Sequence, residues 1–368
     1  MIIEALDAAN GDSAILRHTG TGGQDVVGLI DGGPTGVFAH SIRPALDSLG
    51  ITATAGSLDW LAVSHVDSDH IGGVLRLVIA DFAVGSFFFN TPSPFPDSGV
   101  VPAAVGATPE RALEEKLSNL LDALPPELEV QVASIGQGQD LLDEIVGRGI
   151  QLLNPPTNQR LLVGDSCEID GLTLSIVAPS QARIDALLDK WAHEVAGGAV
   201  PASAEKMDTS VTNLSSLVFL AEAGGKTALF TGDALEDDIV DGLETLHHQL
   251  PMHVDLLKVP HHGSNSPTNP VSLVDGRGLI ENVTADHYVV SADGTSKNPA
   301  LPTLERIVKA AKPGSTIWLP SPPSADAAPD STAEYYAEKV DELKDLVDAA
   351  TDITLKIGDG TPQVIDLT

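Results

Sequence analysis

The chain has 368 residues, 42% of them hydrophobic, which excludes a wholly disordered protein and allows one large or two smaller domains. Its 52 acidic and 20 basic side chains give a formal charge of −32. This excludes a general polyanion binder, because nucleic-acid affinity depends on basic side chains. The single cysteine excludes an intrachain disulfide framework and a cysteine-rich zinc site. Since no apolar run of about 18 residues and no signal-peptide pattern is found, we expect a cytoplasmic protein without a membrane partner.

Strand and helix patterns alternate through the first half of the chain. Short strands are predicted where apolar residues lie between turn residues, at 2–7, 13–18, 26–31, 59–64, 86–90 and 172–178. Helices are predicted from the spacing of apolar residues at 37–49, 72–80, 109–124 and 181–194. Loops are predicted at 91–98, which holds three prolines, and at 197–209.

The second half repeats this alternation. Strands are predicted at 216–222, 227–231, 254–259, 287–291 and 316–319, the first two forming a hairpin through Gly224 and Gly225. Helices are predicted at 235–248, 301–311 and 332–350, with a linker at 321–330 and a closing hairpin of 353–357 and 363–367. Hairpins interleaved with helices predict mixed sheets covered by helices, an α/β (α+β) fold class.

The strongest chemical signal lies at residues 64–73, which follow an apolar strand and open a helix. Four potential metal ligands lie within six residues: His65, Asp67, Asp69 and His70. Imidazole and carboxylate groups together suit zinc, manganese or iron. His65 and Asp67 face the same way in extended backbone, whereas the adjacent Asp69 and His70 diverge, so the cluster could serve two ions.

Two later strand ends also carry residues of the kind that bind metals. One apolar strand is followed by Asp233, whose two carboxylate oxygens could bridge two cations, and the next is followed by His261 and His262. Alone, the first is ordinary turn chemistry and the second is more often a structural pair. Three strand ends of this kind together predict a shared metal site.

These segments resemble the metallo-β-lactamase fold, in the branch typified by the hydrolase domain of the competence protein ComEC. The branch has an Asp-Val-Gly-Gln-Gly-Asp motif, an Asp-Gly-Gly strand end and an Asn-x-x-Ser-Leu strand entry, and these are similar to residues 7–12, 31–33 and 213–217. Its Thr-Gly-Asp-Ala and Lys-Val-Pro-His-His-Gly-Ser segments match residues 231–234 and 258–264. Asp67 stands where most of the superfamily has a second histidine.

The resemblance implies a four-layer αββα sandwich with helical insertions and a binuclear centre for two divalent ions. Zinc is the preferred metal and manganese the alternative. The ligands implied for the first ion are His65, Asp67 and Asp233. Those implied for the second are Asp69, His70, Asp233 and one histidine of the pair. His262 is the preferred ligand and His261 the preferred substrate contact with a catalytic role, and the reverse assignment stays open.

The resemblance also suggests roles outside the ligand set. Asp69 would orient the water nucleophile, which makes it a catalytic candidate. Candidate substrate contacts are Asn213, Lys258 and Ser264, although a salt bridge is an equally good role for Lys258. The usual third-motif histidine has no counterpart, and Leu301 stands where the branch has a late histidine, so a phosphate contact or proton donor would be missing.

The predicted organisation is one metallo-β-lactamase-fold domain over residues 1–320, followed by a C-terminal helix and hairpin over 321–368 packed on it. Insertions at about 91–160 and 180–210 would cap the cleft. The run of phenylalanines at 87–89 and the prolines at 92, 94 and 96 would then form a wall for the substrate. A helical decoration packed on the sandwich is the equal alternative.

The predicted function is a metal-dependent hydrolase, a phosphodiesterase or nuclease acting on nucleotides, short nucleic acid or another small phosphoester through a metal-bound hydroxide. The acidic charge predicts no stable binding of long DNA. One alternative is a lactone, thioester or carbon-ester hydrolase on the same centre. Another is a degenerate, non-enzymatic regulatory or binding module. Basic lining of the cleft would favour the first function, aliphatic lining the second, and widely separated ligands the third.

Overall fold

The computed structural model describes residues 1–90, 134–150, 152, 160–195, 211–265, 278–323, 330–350 and 352–368. The predicted loops at 91–98 and 197–209, the predicted helix at 109–124 and the prolines of the predicted substrate wall lie outside these ranges. The same holds for large parts of both predicted insertions and for most of the predicted linker at 321–330.

The first sheet has six strands in the described part of the chain, in the order β14-β1-β2-β3-β4-β5. These strands are β1 (Ile2–Ala5), β2 (Ala14–Thr19), β3 (Asp25–Ile30), β4 (Leu58–Ala62), β5 (Val84–Phe88) and β14 (Gln363–Asp366). Strands β1 to β3 are antiparallel neighbours, and β3 to β5 are parallel. Gly28 on β3 lies beside Trp60 on β4, and any Cβ there would overlap the indole ring, so glycine makes room for this side chain.

The second sheet has eight described strands, in the order β13-β12-β11-β10-β9-β8-β7-β6. They are β6 (Ser166–Ile169), β7 (Leu172–Ala178), β8 (Val218–Ala223), β9 (Lys226–Phe230), β10 (Met252–Lys258), β11 (Val283–Val289), β12 (Thr316–Leu319) and β13 (Thr354–Ile357). Strands β6 to β9 are antiparallel and β9 to β13 are parallel. The predicted hairpin through Gly224 and Gly225 joins β8 to β9, and the prediction of mixed sheets is confirmed.

The described helices are α1 (Arg43–Ser48), α2 (Ser68–Ile79), α3 (Ser134–Arg148), α4 (Gln181–Val195), α5 (Val211–Leu214), α6 (Glu236–Thr245), α7 (Leu279–Asn282), α8 (Leu301–Ala310) and α9 (Asp330–Ala349). A π-helical segment, Phe38–Ile42, leads directly into α1, and together they cover most of the helix predicted at 37–49. Pro44 near the start of α1 has no N–H to donate to the preceding turn. Helix α2 begins four residues earlier than predicted, with Asp69 in its first turn, where the helix dipole favours a carboxylate.

Three hydrophobic clusters define the layers. One lies between the two sheets and contains Trp60 from the first sheet and Phe219 from the second. A second joins the outer face of the first sheet to α1–α4, through residues such as Leu77. The third joins the outer face of the second sheet to α6–α9, through residues such as Ile239 and Leu343. The order of layers is therefore helices, sheet, sheet, helices, and the predicted four-layer αββα class is confirmed.

The predicted substrate wall of phenylalanines is wrong. Phe87 and Phe89 are buried between the first sheet and its helices, and Phe88 is buried between the two sheets. Successive side chains on a strand point to opposite faces, and here both faces of the strand are covered. The run of three aromatic residues thus belongs to the core of the sandwich itself.

The predicted closing hairpin is also wrong. Strand β13 pairs in parallel with β12 in the second sheet, whereas β14 pairs antiparallel with β1 in the first sheet. The chain between them crosses from one sheet to the other, and each strand completes the edge of a different sheet. Helix α9 packs into the outer core of the second sheet through Tyr336, Val340 and Leu343. Among the described helices, none combines the length and the apolar character needed to cross a membrane.

Candidate metal centre

The candidate ligands meet where strands of both sheets end. Asp31 follows β3 and His65 follows β4 in the first sheet, while Asp233 follows β9 and His262 follows β10 in the second. Because β3 and β4 are parallel, and β9 and β10 are parallel, the carboxyl ends of each pair lie at the same edge of their sheet. The face-to-face packing of the sheets then brings the two edges together.

Close contact between backbones places the start of α2 at this edge. The N–H of Gly32 donates to the carbonyl oxygen of His70 at 2.7 Å, and the N–H of Gly73 donates to that of Gly33 at 3.0 Å. A Cβ on Gly73 would overlap the carbonyl oxygen of Gly32, and a Cβ on Gly72 would press on the backbone of Thr35. The glycine pair after His70 therefore allows the helix to sit against the Asp-Gly-Gly turn.

The two histidines from the first sheet are oriented through their Nδ1 atoms. His70 Nδ1–H donates to Asp31 Oδ2 at 3.0 Å, and the same carboxylate accepts the N–H and the hydroxyl of Ser64, both at 2.7 Å. His65 Nδ1 lies 3.0 Å from Ser64 Oγ and 3.2 Å from Ser216 Oγ. Both rings therefore have their Nδ1 side engaged by protein groups, which leaves Nε2 as the atom for a ligand.

His262 shows the same arrangement on a strained backbone. Its Nδ1–H donates to the carbonyl oxygen of Ser291 at 2.9 Å. Both His261 and His262 have left-handed backbone conformations, with φ of 50° and 53°, and the N–H of His261 donates to the carbonyl oxygen of Gly232 at 3.1 Å. Left-handed backbone is unfavourable for non-glycine residues and persists only where surrounding contacts hold it. In this backbone conformation the Nε2 atoms of both histidines lie within 3.6 Å of Asp233 Oδ2.

Three histidine Nε2 atoms and one carboxylate oxygen converge without hydrogen bonds. The Nε2 atoms of His65, His70 and His262 and Oδ1 of Asp233 are buried and have no hydrogen-bond partner. His70 Nε2 lies 3.4 Å from Asp233 Oδ1, and His262 Nε2 lies 3.5 Å from Asp233 Oδ2 and 3.6 Å from Asp69 Oδ2. Buried polar atoms are rarely left unpaired, and imidazole with carboxylate is a donor set for divalent cations. The residues present therefore fit a metal centre.

Four overlapping groups of three residues have ligand atoms within 4.8 Å of one another. They are His65/His70/Asp233, Asp69/His70/His262, Asp12/Asp233/His262 and Asp12/Asp31/His70. His65 Nε2 also lies 3.8 Å from Asp67 Oδ2, and His261 Nε2 lies 3.6 Å from Asp233 Oδ2. The structure thus brings together all six of the predicted ligands. His262 rather than His261 has the buried Nε2 with an engaged Nδ1.

One side of the cluster is open to solvent. The side chains of Asp67, Asp69 and His261 are 23%, 26% and 14% exposed, whereas those of His65 and His70 are fully buried. In the described part of the chain, the cluster is thus accessible from the side of Asp67, Asp69 and His261.

The charges of the cluster perturb one another. Burial acts to lower the pKa of His70, but the carboxylates of Asp233 and Asp31 outweigh it and raise this pKa well above its usual value. In the same way, Asp233 and Asp12 overcome burial and raise the pKa of His262 to about 10. Burial and the neighbouring His70 instead lower the pKa of His65. Without a cation, positive charge on His70 and His262 thus offsets part of the negative charge of the carboxylates.

Among the predicted substrate contacts, the side chain of Lys258 has a protein partner, and main-chain bonds fix the positions of Asn213 and Ser264. Lys258 Nζ forms an ion pair with Asp12 Oδ2 at 2.6 Å, which is the salt-bridge alternative. Asn213 is buried in α5, and its carbonyl oxygen accepts the N–H of Ser216. The N–H of Ser264 donates to the carbonyl oxygen of His261 at 2.8 Å.

Four residues of the site were not predicted: Asp12, Asp31, Ser216 and Ser291. Asp12 and Asp31 lie in motifs noted in the sequence, and a carboxylate directly after an apolar strand is the signal that could have identified Asp31. Ser216 acts through its hydroxyl and Ser291 through its carbonyl oxygen, contacts for which the sequence carries no local signal.

Comparison with known proteins gives weak similarities only. No family model matches the chain, and no curated protein does. A solved structure described as a metallo-β-lactamase with a HARLDQ motif, from Cronobacter sakazakii, is 15% identical with a TM-score of 0.30 and covers 67% of this chain and 70% of its own. A mutant of the same description is 15% identical with a TM-score of 0.32 and covers 92% and 89%. A protein of unknown function from Enterococcus faecalis is 11% identical with a TM-score of 0.30 and covers 98% and 88%. These values do not assign the chain to a family, and the resemblance to the ComEC branch stays a prediction.

Proposed function

We propose that the chain is a metal-dependent hydrolase whose active centre is the cluster at the joined sheet edges. The observation that carries this proposal is the convergence of three buried Nε2 atoms on Asp233, each on a ring whose Nδ1 side is engaged. Histidines that bind metals have this arrangement, because the group at Nδ1 fixes the ring and its tautomer. A purely structural histidine cluster would use these nitrogens in hydrogen bonds.

The charge of the cluster supports two divalent cations. Five carboxylates lie within it, those of Asp12, Asp31, Asp67, Asp69 and Asp233. Among the described residues, Lys258 is the only lysine that pairs with any of them. With neutral imidazoles the net charge is about minus four, which two divalent ions would balance. Buried charge of this size is costly unless it is compensated.

The resemblance divides these residues between two positions. His65, Asp67 and Asp233 would hold one cation. Asp69, His70, His262 and Asp233 would hold the other. When bound, such ions lower the pKa of water from about 16 towards 7 and stabilise the negative charge that develops on a substrate oxygen.

The protein's own groups at the open side would orient the reactants. Among the candidate carboxylate ligands, Asp69 has the most exposed side chain. Its carboxylate can therefore accept a hydrogen bond from a water molecule and orient that water. His261 is partly exposed beside Asp233 and can donate a hydrogen bond to an anionic substrate oxygen. The buried side, with Asp31 behind His70, holds the rings in place and excludes water from their Nδ1 atoms.

The proposed substrate is a small phosphoester, such as a nucleotide or a short phosphodiester. Support comes from the motifs shared with the ComEC branch and from a donor set rich in carboxylates, which requires cations that in turn attract phosphoryl oxygens. The charge of −32 disfavours long nucleic acid, whose binding needs many basic side chains.

Hydrolysis of bis(p-nitrophenyl) phosphate by zinc- or manganese-loaded protein tests the proposal, with p-nitrophenyl acetate as the carbon-ester probe. We expect turnover of the phosphodiester that requires metal and falls at least about 100-fold in Asp69→Asn. The matched control is Asp25→Asn, the same change at the exposed start of β3, which should leave turnover unchanged. Turnover of the acetate alone would favour the ester hydrolase, and metal binding without turnover of either probe would favour a non-enzymatic module.

A further inference from the structure

A buried ion pair lies behind the proposed metal ligands. Lys258 Nζ is 2.6 Å from Asp12 Oδ2, and the two side chains are only 7% and 8% exposed. The same Nζ donates to the carbonyl oxygen of Val259 at 3.0 Å. Lys258 ends β10 in the second sheet, and Asp12 lies in the loop between β1 and β2 of the first. The pair therefore connects the two halves of the structure beside the site.

Asp12 faces the Nδ1 side of two histidine rings. Its Oδ1 is 3.4 Å from His262 Nδ1, and its Oδ2 is 3.9 Å from His70 Nδ1. Neither contact involves Nε2, the atom that would bind a cation. A carboxylate at this position stabilises the positive charge that an imidazole gains when its Nε2 binds a cation.

The backbone around Asp12 fixes this position. The N–H of Asp12 donates to the carbonyl oxygen of Asp69 at 3.2 Å, and its own carbonyl oxygen accepts the N–H of Gly33 at 2.7 Å. A Cβ on Gly11 would overlap the carbonyl oxygen of Asp69, so the loop can lie against α2 only with glycine here. The loop is thus held to the helix that carries Asp69 and His70, and Lys258 joins it to the strand that leads to His262.

We propose that Asp12 and Lys258 are a positioning pair that fixes His70 and His262 for the second cation, and that Lys258 does not bind substrate. The inference rests on the proposed function, because it assumes that these histidines bind metal. Asp12 supplies the carboxylate behind the rings, and Lys258 holds this carboxylate in place. Loss of either member should weaken binding of the second cation and leave binding of the first unchanged. Two of the three ligands of the first cation, His65 and Asp67, have no contact with the pair among those described.

The direction in which Lys258→Met changes cation affinity distinguishes a positioning role from a simple charge effect. If Lys258 acted only as a positive charge near the cations, Lys258→Met would remove repulsion and tighten cation binding. If it positions Asp12, the same change releases the carboxylate and weakens binding. Positioning groups behind metal ligands typically change affinity by about 10–100-fold when removed.

The test is a titration of the metal-free protein with Zn²⁺, followed by calorimetry with a competing chelator, for wild type, Asp12→Asn and Lys258→Met. We expect each variant to bind the second Zn²⁺ about 10–100-fold more weakly and the first with wild-type affinity. The double variant should be no weaker than the weaker single variant, because the pair acts as a unit. Lys258→Arg should restore much of the affinity.

The matched control is the pair Lys226–Asp255, whose Nζ–Oδ1 distance is 2.9 Å and whose lysine begins β9, at the end of the strand away from the site. Lys226→Met and Asp255→Asn change the same charges and should leave both affinities unchanged. Far-UV circular dichroism checks folding, and if Lys258→Met does not fold, the isosteric Asp12→Asn decides alone. Unchanged or tighter binding in a folded variant overturns the positioning role only. A wild-type protein that binds no Zn²⁺ overturns the proposed function as well.

Discussion

Asp31→Asn should weaken metal binding by changing the tautomer of a histidine. Asp31 is 2% exposed, and its Oδ2 accepts both His70 Nδ1–H at 3.0 Å and the hydroxyl of Ser64 at 2.7 Å. Its Oδ1 accepts the N–H of Ser64 at 2.7 Å. An asparagine that keeps this last bond must place its amide group where Oδ2 lies. It then donates to His70 Nδ1, and the ring proton moves to Nε2, the atom that faces Asp233.

The expected loss follows from the contacts that change. A neutral imidazole with its proton on Nε2 cannot bind a cation there. Metal binding then requires the proton to return to Nδ1, where it would face the N–H of the asparagine amide, and this reduces the binding free energy. Substitution of groups that orient metal ligands weakens metal affinity by about 10–100-fold, which is about 1.4–2.7 kcal/mol. If the asparagine amide adopts the opposite orientation, the buried N–H of Ser64 loses its acceptor. This should reduce the free energy of unfolding by about 1–3 kcal/mol.

Calorimetric titration with Zn²⁺, and urea unfolding in the presence of EDTA, separate these two outcomes. The control is again Asp25→Asn, which makes the same change at the opposite end of β3. A folded Asp31→Asn protein with wild-type zinc affinity and wild-type stability would refute the reasoning, because one orientation of the amide changes the tautomer of His70 and the other removes the acceptor of the Ser64 N–H.

Three further predictions concern other parts of the molecule. Arg306→Leu leaves the buried Glu236 without its bidentate partner and should lower the free energy of unfolding in urea by about 3–5 kcal/mol. Lys344→Met, in an exposed pair, should lower it by less than about 1 kcal/mol, and equal losses would contradict this. Burial raises the pKa of the Cys167 thiol to about 11, so only about one thiol in 1,000 is ionised at pH 8. A disulfide reagent should therefore react slowly until urea unfolds the protein, and rapid reaction of the folded protein would contradict this. Gly11→Ala would overlap a main-chain carbonyl oxygen of α2 and should weaken zinc binding by moving the Asp12 loop; wild-type affinity in calorimetry would contradict this.

Local patterns in the sequence were sufficient to predict most of the strands and the segments that carry ligands. His65, Asp233 and His262 each follow an apolar strand, and such positions lie at a sheet edge whatever the order of the strands. The glycine pair after His70 indicated close backbone approach, which the structure shows against the Asp-Gly-Gly turn. Because adjacent parallel strands end at the same edge, these local signals also predict which side chains meet.

What the sequence did not predict depends on contacts between distant parts of the chain. Two alternating strands near the C-terminus form a hairpin by any local rule, but β13 and β14 find separate partners at the open edges of two different sheets. The pairing of Asp12 with Lys258 joins residues that are far apart in the sequence and belong to the two different halves of the sandwich. Burial of Phe87 to Phe89 on both sides requires that helices cover the sheet, which the three residues themselves do not reveal.

The most direct test of the central claim is X-ray diffraction at the zinc absorption edge from crystals grown with Zn²⁺. We predict two anomalous peaks at the joined sheet edges, one about 2.0–2.1 Å from Nε2 of His65 and the other at the same distance from Nε2 of His70 and His262, with Asp233 between them. Crystals at saturating Zn²⁺ that show no peak at these nitrogens, with water or protein groups hydrogen-bonded to them instead, would contradict the assignment of a metal centre.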